Sequence, residues 1–466
     1  MHIPFDNTYA NLPAHFHHMQ AAESVSNPNL VAWNSDLAHE LGIMAQDDTD
    51  IADIFSGNRN VNGSAPLAQA YSGHQFGHFN PQLGDGRALL LGEVIDQSGV
   101  RRDIQLKGSG RTPFSRRGDG RAWLGPVLRE YLVSEAMHAM GIPTTRALAA
   151  VSSGDPVYRE TILPGAVLTR IAKSHLRVGT FQYFAHRRDI EGLRTLFTYA
   201  RDRHYPDAET PVDFLNCVMA AQAHLIAKWM GVGFIHGVMN TDNCSISGET
   251  IDYGPCAFMD AFHPMCVFSS IDQHARYAYA NQPDIVVWNM AQLATSLVPL
   301  MPDQEDAVRV FKEAIHAMPH MIQKEWTAVF ARKLGVAEPT ETDSQLVRDL
   351  LSLMQNHHMD FTILFHSLIS KYESNIGTEN SDLDKWLNRW HAQTAGRRDQ
   401  TIIRQSNPAV IPRNHQVEAA ITAAVNGDFA PFHDMLGAVT RPFEKNAEYM
   451  AAPKAHEVVQ ATFCGT

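Results

Sequence analysis

Ile235-His-Gly-Val-Met-Asn-Thr-Asp-Asn-Cys-Ser-Ile-Ser-Gly-Glu-Thr-Ile-Asp-Tyr-Gly254 is the stretch on which the fold turns. It opens on a His-Gly loop of short polar side chains and closes on an apolar residue, Ile251, that delivers an Asp-aromatic-Gly turn. Asn243 and Asp252 both offer hard oxygen ligands of the kind Mg²⁺ takes. Just upstream, Phe214, Leu215, Val218, Met219, Ala223, Ile226 and Ala227 recur at helical spacing over 212–229, and Gly231 supplies the stop. Downstream, from about 282 to 438, the periodicity stays mostly helical, as at 286–300, 305–318 and 344–354.

Further upstream the pattern changes. Gly84-Asp-Gly86 precedes Arg87-Ala-Leu-Leu-Leu-Gly-Glu-Val-Ile95, a Gln97-Ser-Gly99 turn and Arg101-Arg-Asp-Ile-Gln-Leu-Lys107, which predicts a β-hairpin behind a glycine loop. Trp123, Val127, Leu128, Tyr131, Leu132 and Ala136 then predict a helix that Gly141-Ile-Pro143 ends. Residues 1–60, punctuated by Pro, Asn and Asp around one helical stretch at 30–41, look like an arm laid over another unit. The order is a small α+β lobe followed by a larger helical one.

Composition bounds the partners. At 466 residues, 44% hydrophobic and 19% charged, the chain has enough apolar surface for several packed units. A net charge of −12 repels nucleic acid and anionic membrane surfaces, so any anionic ligand must be held locally. Met1-His-Ile-Pro-Phe-Asp6 lacks the basic and apolar regions of a secretory signal, and the least charged stretch, 285–301, carries Asn289, Gln292, Ser296 and Pro299. A cytoplasmic protein without membrane spans is expected. Five cysteines, odd in number and without CxxC spacing, suit neither a disulfide framework nor a zinc site, and His15, His17 and His18 suit solvated surface better than a metal site.

The chemistry concentrates in two places. Between Arg101 and Arg121 seven basic residues (Arg101, Arg102, Lys107, Arg111, Arg116, Arg117, Arg121) face only Asp103 and Asp119, interleaved with glycines. That is the composition of a phosphate cradle or of a solvated basic loop. Lys107 ends a predicted strand and Glu130 lies in the next helix, the arrangement protein kinases use to aim a lysine at phosphates. His236 and Asn243 match the kinase catalytic loop at its first and eighth positions, and Asp252-Tyr-Gly254 stands for Asp-Phe-Gly. The third position, where kinases keep the aspartate that receives the substrate hydroxyl, is Val238, which cannot accept a proton. Asp242 is available as a relocated base.

With those residues in place, the chain resembles the selenoprotein O family of pseudokinases. The resemblance runs over Tyr71-Ser-Gly-His-Gln-Phe-Gly77, Asn80-Pro-Gln-Leu-Gly-Asp-Gly-Arg87, 105–121, His236 to Asn243 and Ile251-Asp-Tyr-Gly-Pro255. It implies a protein-kinase-like bilobal fold that binds ATP turned round, so that AMP is transferred to Ser, Thr or Tyr hydroxyls of protein substrates. By motif position it implies ATP contacts at Gly84, Gly86, Arg87, Lys107, Asp119 and Gly120, with Glu130 pairing Lys107. It further implies that Asp242 is the base, that Asn243 and Asp252 hold Mg²⁺ or Mn²⁺, and that Arg170 and Arg177, which by themselves look like surface arginines, line the nucleotide pocket. Cys464 takes the place of the family's terminal selenocysteine or cysteine, although the ending here is Cys464-Gly-Thr466 where Cys-Ser-Ser is usual, and Cys266 is its candidate redox partner against two reduced thiols.

The expected organisation is an N-terminal arm at 1–60, a β-rich N-lobe at 61–168, a helical C-lobe at 169–300, a helical extension at 301–440 and a tail at 441–466. Three rival functions share the same cleft: UMP transfer, a conventional phosphotransferase, which Val238 opposes, and an inactive nucleotide-binding scaffold.

Overall fold

In the computed structural model, which describes residues 1–45, 47–373 and 380–463, the predicted hairpin is the middle of an eight-stranded antiparallel sheet. The strands are β1 (His17–Met19), β2 (Asn29–Trp33), β3 (Leu67–Gln69), β4 (Gly73–Gln75), β5 (His78–Asn80), β6 (Ala88–Ile95), β7 (Arg101–Lys107), β8 (Ala122–Trp123), β9 (Arg146–Tyr158), β10 (Ile162–Ala172), β11 (Phe234–Ile235) and β12 (Ala257–Phe258). The large sheet runs β1-β3-β6-β7-β10-β9-β2, with β8 pairing on β10, while β4–β5 and β11–β12 form two separate pairs. The helices are α1 (Ser35–Glu40), α2 (Asp48–Phe55), α3 (Leu124–Ala139), α4 (Val178–His186), α5 (Ile190–His204), α6 (Pro211–Gly231), α7 (Gln282–Leu297), α8 (Gln304–Lys333), α9 (Glu341–Asn356), α10 (Phe361–Glu373), α11 (Ser381–Gln393), α12 (Gln400–Ser406), α13 (Asn414–Val425), α14 (Ala430–Val439) and α15 (Ala447–Met450). The observed class is therefore mixed: a small antiparallel sheet followed by a helical region.

Strand alternation gives the sheet two apolar faces. Along β10, Val167 and Ile171 join one core with Leu37, Ile51, Ile54 and Phe55 of α1 and α2, whereas Leu168 joins another with Val127, Leu128, Tyr131 and Leu132 of α3. The outer side of α3 is closed in turn by Ile421, Phe432, Met435 and Val439 of α13 and α14, and Arg129 of α3 pairs with Glu418. A third core, from α4 through α11, fills the helical region.

Two expectations change. The stretch 30–41 is not one helix: Asn29–Trp33 pairs with β9 as an edge strand, and Asn34 accepts the Leu37 N–H at 3.1 Å as the N-cap of α1. Leu30, Leu37 and Leu41 fit a helical spacing across the break, and it is the Asn34 cap together with pairing to β9 that divides strand from helix. The segment 1–60 accordingly puts strands on both edges of the sheet. The 305–318 helix continues to Lys333 through Pro319. Among the described residues no helix is long and apolar enough to cross a membrane.

Candidate active site

β7 ends at Lys107, and its antiparallel neighbour β10 sets Arg170 opposite Gln105. Lys107 Nζ donates to Glu130 Oε2 at 2.6 Å and to Asp252 Oδ1 at 2.7 Å. Arg170 donates from Nε to Glu130 Oε1 at 2.8 Å and from Nη2 to Asp252 Oδ1 at 2.6 Å. Two cations and two carboxylates thus close a ring, with Lys107, Glu130 and Arg170 all buried. Burial by itself would push the Asp252 carboxyl up, but Arg170, Lys107 and Arg177 outweigh it and hold it well below the usual carboxylate range. Asp252 has φ +62°, a left-handed conformation that costs an L residue energy and persists where the surroundings impose it.

Arg177 precedes α4 and is 2% exposed, yet it is poorly paired. Its Nη1 lies 3.5 Å from Asp85 Oδ1, its Nη2 3.9 Å from Asp252 Oδ2, its guanidinium stacks 4.3 Å over the Tyr71 ring, and its Nε has no partner. Arg170 and Arg177 are thus among the largest fully buried side chains, not surface arginines. Asp85, between the two glycines of the loop, is buried and accepts the Gln69 N–H at 3.1 Å.

The glycine loop and the basic loop are packed together. A Cβ on Gly84, which has φ +90°, would stand 2.4 Å from the Phe114 ring, and one on Gly120, with φ +69°, 2.0 Å from the Gly110 carbonyl oxygen. Thr112 Oγ1 donates to the Asp85 carbonyl at 2.6 Å and ties the two segments. Arg87, Arg111, Arg116, Arg117 and Arg121 line the cavity beside them. Arg101 and Arg102 do not: they sit at the far end of β7, paired with Asp6 and Asp96, so the basic run divides into a cavity part and a structural part. Asp119 takes Arg159 in a two-pronged pair at 2.7 and 3.1 Å, a partner the sequence reading did not find.

His236 is a strut: buried, stacked on Trp229 and hydrogen-bonded through Nε2 to the Ile251 carbonyl at 2.9 Å, it fixes the spacing between the loop and Asp252. Val238 packs at the cavity wall, and its carbonyl accepts from Asn243 Nδ2 at 3.0 Å. Asp242 is buried; burial pushes its carboxyl up to about 6, opposed by a 3.0 Å hydrogen bond from Gln75 Nε2 to Oδ2. Its Oδ1 has no partner.

All the predicted site residues except Glu130 line one cavity of about 1210 Å³, and Glu130 stands directly behind Lys107. Gln75, Asp85 and Arg159 also line it and were missed, and in Gly73-His-Gln-Phe-Gly-His-Phe-Asn80 nothing local sets Gln75 apart from its polar neighbours. His15, His17 and His18 do not converge, His15 pairing with Asp189 and the other two lying on β1. Cys217, Cys244, Cys256 and Cys266 are free thiols, and Cys464 lies outside the described residues.

Comparison with known proteins gives one answer along the chain. The family model described as protein adenylyltransferase SelO matches residues 1–440. The chain is similar to the protein nucleotidyltransferase YdiU of Ruegeria pomeroyi, 56% identical over 100% of this chain and 99% of the relative. It is also similar to those of Roseobacter denitrificans, 57% identical over 99% of both chains, and of Rhizobium etli, 54% identical over 99% of this chain and 97% of the relative.

Proposed function

The chain belongs to the SelO family of protein adenylyltransferases, and on that premise we propose how this protein nucleotidyltransferase works: ATP lies in the cavity with its α-phosphate toward Asp242, and AMP passes to a Ser, Thr or Tyr hydroxyl of another protein. Arg177 carries the reading. A guanidinium this buried and this short of acceptors calls for an anionic ligand, and it lines the same cavity as Lys107 and Asp242.

In this reading Lys107, held by Glu130, and the cavity arginines neutralise the phosphates, and Gly84, Gly86 and Gly120 let the backbone approach the nucleotide. Asp242 accepts the proton of the acceptor hydroxyl; that oxygen bonds to the α-phosphorus as the bond to the β-phosphate bridge breaks, and pyrophosphate leaves. Asp252 and Asn243 fit a divalent cation: Asp252 Oδ2 stands 3.9 Å from Arg177 Nη2, too far for a hydrogen bond, and keeps lone pairs for Mg²⁺ or Mn²⁺. Such an ion would supply charge neutralisation on the phosphates.

The Lys107–Glu130 contact, followed along the chain by the His236 loop and the Asp252 turn, supports a protein-kinase-like division into an N-lobe and a C-lobe, with the extension at 301–440 and the tail added; the expected boundary between 61–168 and 169–300 shifts past Ala172, because β10 runs unbroken to it, and the arm joins the N-lobe sheet through β1 and β2. The tail is also read as the redox element, Cys464 pairing with Cys266. Thr462 supports this, its N–H donating to the Phe268 carbonyl at 2.7 Å, only a few residues from Cys266. The protein is read as cytoplasmic.

The test is parallel incubation with α-³²P-ATP and γ-³²P-ATP and a protein acceptor. Label on protein from the α position only is expected. Label from γ only would make it a kinase, and label from neither would make it a scaffold.

A further inference from the structure

β4 and β5 are two three-residue strands that pair with each other and, among the described residues, with no other strand, and such a hairpin is marginal on its own. It is held on the catalytic loop instead. The His74 N–H donates to Thr241 Oγ1 at 2.7 Å and the Phe76 N–H to Asn240 Oδ1 at 3.0 Å. Its turn is Phe76-Gly77, at φ +50° and +85°, and a phenylalanine keeps the left-handed conformation only where its surroundings hold it; here the Tyr277 ring does, 5.1 Å away between centroids.

This geometry closes both oxygens of Asp242. Oδ1 is buried and unpartnered against Gly73, where a Cβ would come within 2.5 Å of it, so no other residue fits. Oδ2 receives Gln75 Nε2 at 3.0 Å, and Gln75 and Asp242 share the cavity wall. Oδ2 is therefore the oxygen left to receive an acceptor's proton, and the Gln75 amide sits on it as a hydrogen-bond donor, the part an acceptor hydroxyl must play.

We propose that Gln75 gates the base: its amide holds the acceptor hydroxyl's place on Asp242 Oδ2 and yields it to a docked protein and not to water. This rests on Asp242 being the base. A water molecule that displaces the amide gains one hydrogen bond for one lost, whereas a protein acceptor brings binding energy from contacts remote from the hydroxyl, among them the exposed tip at Gly77 and His78. Once Gln75 yields, the hydroxyl proton passes to Oδ2, the oxygen bonds to the α-phosphorus and pyrophosphate departs; with water the same step would release AMP. Gln75 is thus a positioning residue that decides between transfer and hydrolysis.

The test uses the full chain with α-labelled ATP, alone and with casein as a hydroxyl-bearing protein. Gln75→Ala and the similarly sized, donor-free Gln75→Met remove the donor. Each is expected to raise AMP release to water about 5- to 10-fold, the equivalent of one hydrogen bond, while melting temperature and its rise on adding ATP stay as in the parent. A merely structural role would lower release and ATP-induced stabilisation together. Unchanged or reduced AMP release in both folded variants overturns the gate. Asp242→Asn runs beside them: if it abolishes transfer while the Gln75 variants release no extra AMP, the gate alone fails; if it leaves transfer intact, Asp242 is not the base and the gate falls with that assignment.

Discussion

Arg170 and Arg177 should part company when each is replaced by alanine, because one is a structural tie and the other is not. Arg170 is 2% exposed and donates to Glu130 at 2.8 Å, to Asp252 at 2.6 Å and to Gln105 at 3.3 Å. Its removal leaves two carboxylates sharing the Lys107 ammonium, and breaking a buried ion pair costs about 3–5 kcal/mol. Arg177 has no contact shorter than 3.5 Å among these charged groups, and Asp85 keeps the Gln69 N–H, so its loss should cost about 1 kcal/mol. At about 2 °C per kcal/mol for a large domain, Arg170→Ala should melt roughly 6–10 °C below the parent and Arg177→Ala within about 2 °C. Transfer should follow a different order: Arg177→Ala is expected to lose about 10- to 150-fold, the worth of one charge-assisted phosphate contact, and most of the stabilisation that ATP confers. Arg177→Lys should recover only part of it, since an ammonium cannot make the fork. The assay is thermal melting with and without ATP beside α-label transfer. Melting of Arg170→Ala with the parent, or an Arg177→Ala protein that still gains full stability from ATP, would refute this division of labour.

Asp252→Asn should abolish metal-dependent transfer while the chain still folds, as measured by transfer at saturating Mg²⁺; parental activity would remove Asp252 from the metal site. Because burial pushes the Asp242 carboxyl up to about 6 and the base must be ionised, kcat/KM should climb with pH and reach half its plateau near that value; a profile flat from about pH 5 to 8 would contradict the assignment. Lys333, buried at the end of α8 with its ammonium 4.4 Å over the Phe365 ring, is pushed down to about 7 by desolvation. Its folded value lies below its unfolded one, so the cost of the buried charge is complete below about pH 7 and fades as pH rises toward the unfolded value near 10.4. Lys333→Met should therefore stabilise the protein by about 1–3 kcal/mol near neutrality, after the lost cation–π contact is allowed for, and by little at about pH 10; denaturant unfolding at the two pH values checks it.

What could be read from sequence was what local pattern determines. The β6–β7 hairpin followed from its turn, α3 from its apolar spacing, and Lys107, Glu130 and Asp252 from their places at the ends or middle of those elements. Burial of arginine was not legible, because it depends on partners far along the chain: Arg170 meets Gln105 through strand register, and Arg177 meets Asp85 across 92 positions. Gln75 stayed unread for the same reason, since only folding sets it on Asp242. The strand at Asn29–Trp33 was lost inside a helical reading because Leu30, Ala32 and Leu37 suit either structure, and its β9 partner lies more than a hundred residues downstream.

The helix that carries Glu130 has its outer face covered late. Val127, Leu128 and Tyr131 are closed off by Phe432, Met435 and Val439, residues far along the chain, and Arg129 pairs with Glu418. Without 414–439 the apolar outer face of α3 would therefore stand open to water. A polypeptide cut short before that point holds every residue of the proposed site without the packing that fixes Glu130 against Lys107. α13 and α14 thus brace the cavity from behind while lining none of it.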